Sequence, residues 1–283
     1  MTTSQTIKGP IVSYASAQDI GGRADQEDRF TVCEMTTADG RPAVLAMIAD
    51  GIGGHRAGQA ASEMACSRVP ALLAAQAPGS GQIGHALRRA LEETCRDIYE
   101  ASLADPGREA MGTTCTAIVL VDRKLYLGHV GDTRAYLLHA DRLRQLSIDH
   151  TWAEEAIRAG FPAEEIRRHP NRGVLKRYLG VEPTVEVDAR CRLDDDGDET
   201  VDTLENPLQL EPGDVLMLCS DGLSDPVEGT EILQALQSAN PSQAAATLVR
   251  RGLQAGATDN VTVVVMKLAG GKALGPWWWP AGH

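Results

Sequence analysis

Aromatic residues are scarce, with two phenylalanines, five tyrosines and four tryptophans making up 4% of 283 residues. The hydrophobic fraction of 43% is therefore carried by alanine, valine and leucine, and the expected core is one of small, tightly interlocked side chains. The cysteines at 33, 66, 95, 115, 191 and 219 form no C-x-x-C pair. That argues against a zinc ribbon or dithiol redox site and fits buried thiols in a reducing compartment. No apolar run approaches the length of a membrane span, and the opening MTTSQTIKGP lacks a basic-then-apolar leader. The cytoplasm is the expected location, without a membrane partner. Positive charge is in deficit, 27 Lys and Arg against 39 Asp and Glu, and the net charge of −12 would repel nucleic acid. The motifs H-E-x-x-H, G-x-S-x-G and G-x-x-x-x-G-K-[ST] are missing, so zincin, serine hydrolase and P-loop chemistries lose their main support.

What is present is a two-period pattern. Short β-prone runs at 11–17 and 29–35 are followed by the apolar run Val44 to Ala49. Ala57, Ala60, Ala61, Met64, Ala65 and Leu72 then keep a helical spacing, as do Ile83, Leu87, Ala90, Leu91, Thr94 and Ile98. From Gly112 the spacing becomes that of strands, over 113–121, 124–130 and 134–138, with turns at Asp122-Arg123 and Gly131-Asp132. Further strands are predicted at 184–192, 215–219 and 261–267, and helices near 229–239 and 241–255. Strand blocks alternating with helix pairs predict an α+β fold of mostly antiparallel sheets, two packed face to face with helix pairs outside. The expected organisation is one domain over 1–269 and a tail over 270–283.

Two apolar strands end alike, Val44 to Ala49 in Asp50-Gly51 and Val215 to Ser220 in Asp221-Gly222. Each places a carboxylate at a sheet rim beside a glycine that permits close approach. Asp132 occupies a strand-to-strand turn, Asp259 precedes the last strand, and Glu27-Asp28 leads into the second. If these positions share one rim they form an all-oxygen cluster suited to Mg²⁺ or Mn²⁺. If they do not, each Asp simply turns or caps its own loop, a task at which Asp is good.

Taken in order, Gly22-Arg23-Ala24-Asp25-Gln26-Glu27-Asp28, Asp50-Gly51-Ile52-Gly53-Gly54-His55, Gly112-Thr113-Thr114, Gly131-Asp132-Thr133-Arg134-Ala135-Tyr136, Asp149-His150-Thr151, Ser220-Asp221-Gly222-Leu223 and Asp259-Asn260-Val261-Thr262 resemble the PP2C (PPM) family of metal-dependent protein phosphatases, bacterial branch. The likeness runs from Gly21 to Val265. It implies a four-layer α-β-β-α sandwich with a flap, here about 147–183. It implies two Mn²⁺ or Mg²⁺ ions bridged by Asp50, with the Gly51 carbonyl on one of them, Asp221 and Asp259 completing one ion's shell, and Glu27 and Asp28 supporting the other directly or through water. Asp132 matches the position of a third, weaker ion shared with Asp221. Arg23 would grip the substrate phosphate, its planar fork meeting two oxygens at once. The reaction implied is hydrolysis of phosphoserine and phosphothreonine by a water bridging the two ions. His55 is the candidate general acid for the departing oxygen. The implied partners are phosphorylated proteins and a serine/threonine kinase, and the implied state is a monomer. Asp25 and Gln26 depart from the family pattern, as do Gly173, Lys176 and Tyr178 in the flap.

The flap run Arg167 to Arg177 is basic within an acidic chain, read here as a salt-bridged face rather than a docking patch. Residues 194–205, DDDGDETVDTLE, place Asp194, Asp196, Asp198 and Glu205 at calcium-loop spacing, but Glu199 stands where such a loop needs glycine, so a solvated loop is the expectation. Trp277 to Trp279 in the tail carry no assignment. Of the rival functions, a dinucleotide site fails because Arg56 replaces the third glycine after Gly51 and Gly53. An inactive phosphoprotein-binding module need not keep Arg23, Asp50, Asp221 and Asp259 together. A phosphatase of small phosphoesters would use the same residues.

Overall fold

The structure is a computed structural model that describes residues 2–269 apart from 5, 10, 54, 55, 109, 195–198, 238 and 239. Its centre is a pair of antiparallel sheets. The first orders the strands Thr2–Thr3, Val12–Asp19, Val261–Leu268, Val215–Cys219, Arg134–His139 and Arg142–Gln145, with Ile7–Lys8 also pairing to Val12–Asp19. The second orders Leu208–Gln209, Lys124–Val130, Cys115–Val121, Pro42–Ala49 and Arg29–Thr36. Among the described residues no helix is long and apolar enough to cross a membrane.

Alternation along each strand explains the layering, because successive side chains face opposite sides of a sheet. In Pro42–Ala49, Val44, Ala46 and Ile48 point toward the first sheet and meet Leu137, Leu216, Leu218 and Val264. Leu45, Met47 and Ala49 point the other way, onto the helices α1 (Arg56–Gln76) and α2 (Ile83–Ala104). Both faces are buried, so the run reads as continuously apolar. On the far side of the first sheet, Val215, Met217, Cys219, Val263 and Val265 pack against Ile232, Ala245 and Leu248. Those side chains belong to α6 (Gly229–Leu236) and α7 (Pro241–Gln254). The result is the four-layer α-β-β-α sandwich anticipated from the sequence, with alanine, valine and leucine filling all three interlayer spaces.

The connection between Arg142–Gln145 and Val215–Cys219 carries the flap. It contains α3 (Trp152–Arg158) and α4 (Ala163–Arg168), with the Trp152 ring stacked on His169 at 3.7 Å. The strand predicted over 184–192 is shorter, running over Arg190–Arg192 against Thr200–Asp202. Before it, only a bridge between His129 and Asp188 keeps the backbone on the sheet. The acidic insertion thus follows one strand and contains its partner, whereas a helix–loop–helix calcium site requires flanking helices. Asp196 and Asp198 lie outside the described residues, as do Trp277 to Trp279.

Candidate metal and phosphate site

The carboxylates separated in sequence meet where strand ends of both sheets come together. Val44–Ala49 is fully apolar and buried, so its exit at Asp50 brings a carboxylate to the edge of the dry interior. There the Asp50 N–H donates to the Thr114 hydroxyl at 3.0 Å, and the Asp50 carbonyl accepts from the Thr113 hydroxyl at 2.8 Å and the Thr114 N–H at 2.9 Å. This is what Gly112-Thr113-Thr114 does. Gly51–Ile52 pairs with Gly112–Thr113, and a Cβ on Gly51 would fall on the Gly58 carbonyl of α1. The glycine therefore permits the first turn of α1 to close over the rim.

Asp221 opens α5 (Asp221–Ser224) directly after its strand. The preceding Ser220 does not cap that helix. Its hydroxyl donates to Asp28 Oδ2 at 2.7 Å and accepts from the Thr262 N–H at 3.0 Å, tying Asp28 to the last two strands of the first sheet. Asn260 performs the companion task for Glu27. Its Oδ1 accepts from the Glu27 N–H at 2.7 Å, and its Nδ2 donates to the carbonyls of Ile20 and Asp25 at 2.9 and 3.0 Å. Gln26, where the family pattern differs, accepts from the Asp28 N–H at 3.1 Å and keeps the loop turned. Asn260→Ala is expected to leave those buried groups unpaired and to cost about 2–3 kcal/mol of stability, measured by urea unfolding; a loss below about 0.5 kcal/mol would contradict the clamp.

The electrostatics follow from this crowding. Burial, opposed by the nearby Thr262 hydroxyl and the Ser220 hydrogen bond and reinforced by repulsion from Asp221 and Asp259, leaves the Asp28 carboxyl raised to about 7. Asp221 is raised to about 6 by burial and by Asp259 and Asp225. Asp50 and Asp132 are raised well above the usual carboxylate range, again by burial first and by their acidic neighbours next. Asp28 Oδ1 and Asp221 Oδ1 are buried without a hydrogen-bond partner. Unpartnered anionic oxygens in a buried acidic cluster are the donor set a hard divalent cation needs. Among the described residues no three acidic, His or Cys side chains converge into a ready-made cage.

The family model of protein phosphatase 2C matches residues 24–261. The chain belongs to the protein phosphatase 2C family. It is 35% identical over 254 residues to a serine/threonine phosphatase stp of Listeria monocytogenes, spanning 87% of this chain and 91% of that protein. The crystal structure of the Mycobacterium tuberculosis serine/threonine phosphatase PstP/Ppp is 33% identical, covers 92% of this chain and 100% of that one, and superposes with a TM-score of 0.73. The catalytic domain of PstP in complex with two manganese ions is 31% identical, with 92% of this chain and 99% of that one covered and a TM-score of 0.74. This phosphatase 2C is accordingly a metal-dependent hydrolase with a dimetal centre.

Arg23 is half exposed at the rim and ion-paired with Asp259. Its guanidinium is held further into the charged state by Asp259, with Glu27 and Asp50 contributing. His55 lies outside the described residues. Asp225 escaped the sequence reading: it stands one helical turn after Asp221, and its charge acts on both Asp221 and Asp132. The signal was the spacing S-D-G-L-S-D, visible only once the segment is known to be helical. Beside the cluster an open pocket of about 280 Å³ is lined by Arg172 of the flap with Asp221, Asp225, Thr258 and Asp259. The root of the flap is held by Asp149, which takes a forked ion pair from Arg134 with contacts of 2.6–3.1 Å, and by Thr151, which caps α3. Most basic flap side chains are paired, Arg167 and Arg168 with Glu164, Lys176 with Glu155 and Arg177 with Glu186. The salt-bridged reading of that run describes their geometry.

Proposed function

We propose that this phosphatase hydrolyses phosphoserine and phosphothreonine in partner proteins phosphorylated by a serine/threonine kinase, acting as a monomer in the cytoplasm. The observation that carries the site assignment is the set of raised carboxyls Asp28, Asp50, Asp132 and Asp221, together with the buried, unpartnered Oδ1 atoms of Asp28 and Asp221. Asp50 is assigned to both principal ions and the Gly51 carbonyl to one of them, with Asp221 and Asp259 completing one site and Glu27 and Asp28 supporting the other. Asp132 is assigned to a third, weaker ion shared with Asp221 and assisted by Asp225. Mn²⁺ is the assay ion of choice because a relative's crystal structure holds manganese; Mg²⁺ has the same oxygen preference. Two bound divalent cations supply an activated water and offset phosphate charge.

The protein's own part is orientation and charge. Arg23 presents a planar fork at the rim and exchanges its Asp259 partner for two phosphate oxygens when substrate arrives. His55 is assigned the return of a proton to the serine or threonine oxygen as it leaves. The free, unpaired cysteines fit a reducing compartment. Turnover of a phosphothreonine peptide with Mn²⁺ and its loss in EDTA test the reading. Arg23→Ala is expected to raise KM for that peptide by roughly ten- to a hundredfold, the worth of a charged hydrogen bond of about 1.5–3 kcal/mol. An unchanged KM would remove Arg23 from the phosphate site.

A further inference from the structure

The Gly131–Asp132–Thr133 turn is held from both sides by a buried pair of histidines. Gly131 has a φ of 113°, and Thr114 occupies the space a side chain there would need, so this turn depends on its backbone partners. On one flank the Gly131 N–H donates to His150 Nδ1 at 3.0 Å and the His150 N–H donates to the Gly131 carbonyl at 2.8 Å. On the other, the Thr133 and Thr116 hydroxyls are 2.8 Å apart, and Thr116 contacts His129 Nδ1 at 2.9 Å. The His129 ring donates from Nε2 to the Ile148 carbonyl at 3.0 Å. The two imidazoles lie 4.7 Å apart, His129 fully buried and His150 nearly so.

Hydrogen-bond counting then sets the protons. A neutral imidazole has one bare nitrogen and one N–H. Gly131 offers a donor, so Nδ1 of His150 must be the bare nitrogen and Nε2 must carry the proton. Nε2 faces Asp188 Oδ2 at 3.7 Å. Arg177 of the flap approaches the same nitrogen at 3.4 Å, but a guanidinium only donates, so it cannot bond to a nitrogen that already holds a proton. Asp188 is fixed in turn by Arg190, with contacts of 2.9 and 2.7 Å. Burial pushes the Asp188 carboxyl up, but the nearby His150 ring and the hydrogen bonds from Arg190 outweigh it and keep it ionised. Burial above all holds His129 down to about 3, so that ring is neutral. The flap joins the same point, since the Lys176 N–H donates to the His150 carbonyl at 2.8 Å.

We propose that His150 is a positioning residue for Asp132: its bare Nδ1, set in that tautomer by the Gly131 N–H it accepts, holds the Gly131–Asp132 turn and ties it to the flap. The proposal rests on the assignment of Asp132 to the third ion. Two measurements on the full-length protein test it. With ¹⁵N-histidine labelling and Mg²⁺ loading, the ring of His150, assigned by its loss in His150→Asn, is expected to show an unprotonated, hydrogen-bonded Nδ1 and a protonated Nε2 at neutral pH. A protonated Nδ1 overturns the proposal. In Mn²⁺ titrations followed by electron paramagnetic resonance, Asp132→Asn is expected to lose the weakest ion. His150→Gln, whose amide reaches the Nε2 position and not Nδ1, is expected to weaken the same ion about tenfold. His150→Asn, whose carbonyl replaces Nδ1, is expected to stay within about twofold of wild type. If Asp132→Asn binds Mn²⁺ as wild type does, the third-ion assignment itself is wrong and the proposal falls with it. If Asp132→Asn loses the ion while His150→Gln keeps it, the assignment stands and only the positioning role is overturned.

Discussion

Asp221→Asn is expected to lower turnover of a phosphothreonine peptide by roughly a thousandfold, about 4 kcal/mol of transition-state stabilisation, while leaving the protein folded. The substitution keeps the side chain's size and one of its oxygens and removes a charge that sits against Asp259, Asp225 and Asp50. Asp221 is also the carboxylate at which the two sheets' contributions converge, since it follows a strand of one sheet and repels Asp50 at the exit of the other. Without added metal, the loss of one member of a repelling cluster is expected to leave the melting temperature unchanged or to raise it. With saturating Mn²⁺ the variant should melt below the wild type. Steady-state kinetics and paired melting curves read both effects. A variant that retains a tenth of wild-type turnover would remove Asp221 from the catalytic metal assignment, and a variant that melts early even in EDTA would mean its role is structural.

Lowering the pH should stabilise the metal-free protein and destabilise the metal-loaded one. In the folded chain Asp28 and Asp221 are raised to about 7 and about 6, above their ordinary unfolded values near 4. The folded state therefore binds more protons than the unfolded state across that interval. The contribution of these two groups is present in full below pH 4 and is lost as pH rises through 6 and then 7. Metal binding reverses the sign, because divalent cations take the deprotonated carboxylates and compete with protons. At pH 8, Mn²⁺ at a hundred times its dissociation constant should add about 2.7 kcal/mol, which for a chain of this size is a rise of roughly 4–5 °C. At pH 5.5 the same Mn²⁺ concentration should give less than about half of that shift. Differential scanning calorimetry with EDTA and with Mn²⁺ at both pH values decides it. Parallel pH slopes under the two conditions would mean that these carboxylates are not where the cations bind.

Much of the architecture was legible because burial leaves a pattern. Val44 to Ala49 and Val261 to Leu268 are apolar on both faces, and only strands between two covered layers tolerate that. The helical spacing in α1, α2, α6 and α7 was equally plain, since each buries one stripe against a sheet. Less legible was the region from 184 to 202, where a single bridge at His129–Asp188 and a short hairpin replace a continuous strand. Alternation in so short a stretch does not distinguish paired backbone from extended backbone. The helical turn at Asp221 was hidden for a related reason, four residues being too few to show a period.

By itself the sequence determined the composition of the core, the order of strands and helices, and the residue types that end each buried run. Those are local consequences of side-chain volume and of polarity repeating with a fixed period. Only the tertiary structure decided that Asp28, Asp50, Asp132 and Asp221 repel one another at one rim, that Asn260 and Ser220 are the clamps behind them, and that His150 meets Gly131 from the root of the flap. The physical reason is that charge and hydrogen bonding act through space. A carboxylate's protonation and a histidine's tautomer depend on which distant segments are packed beside them, and no spacing along the chain records those neighbours.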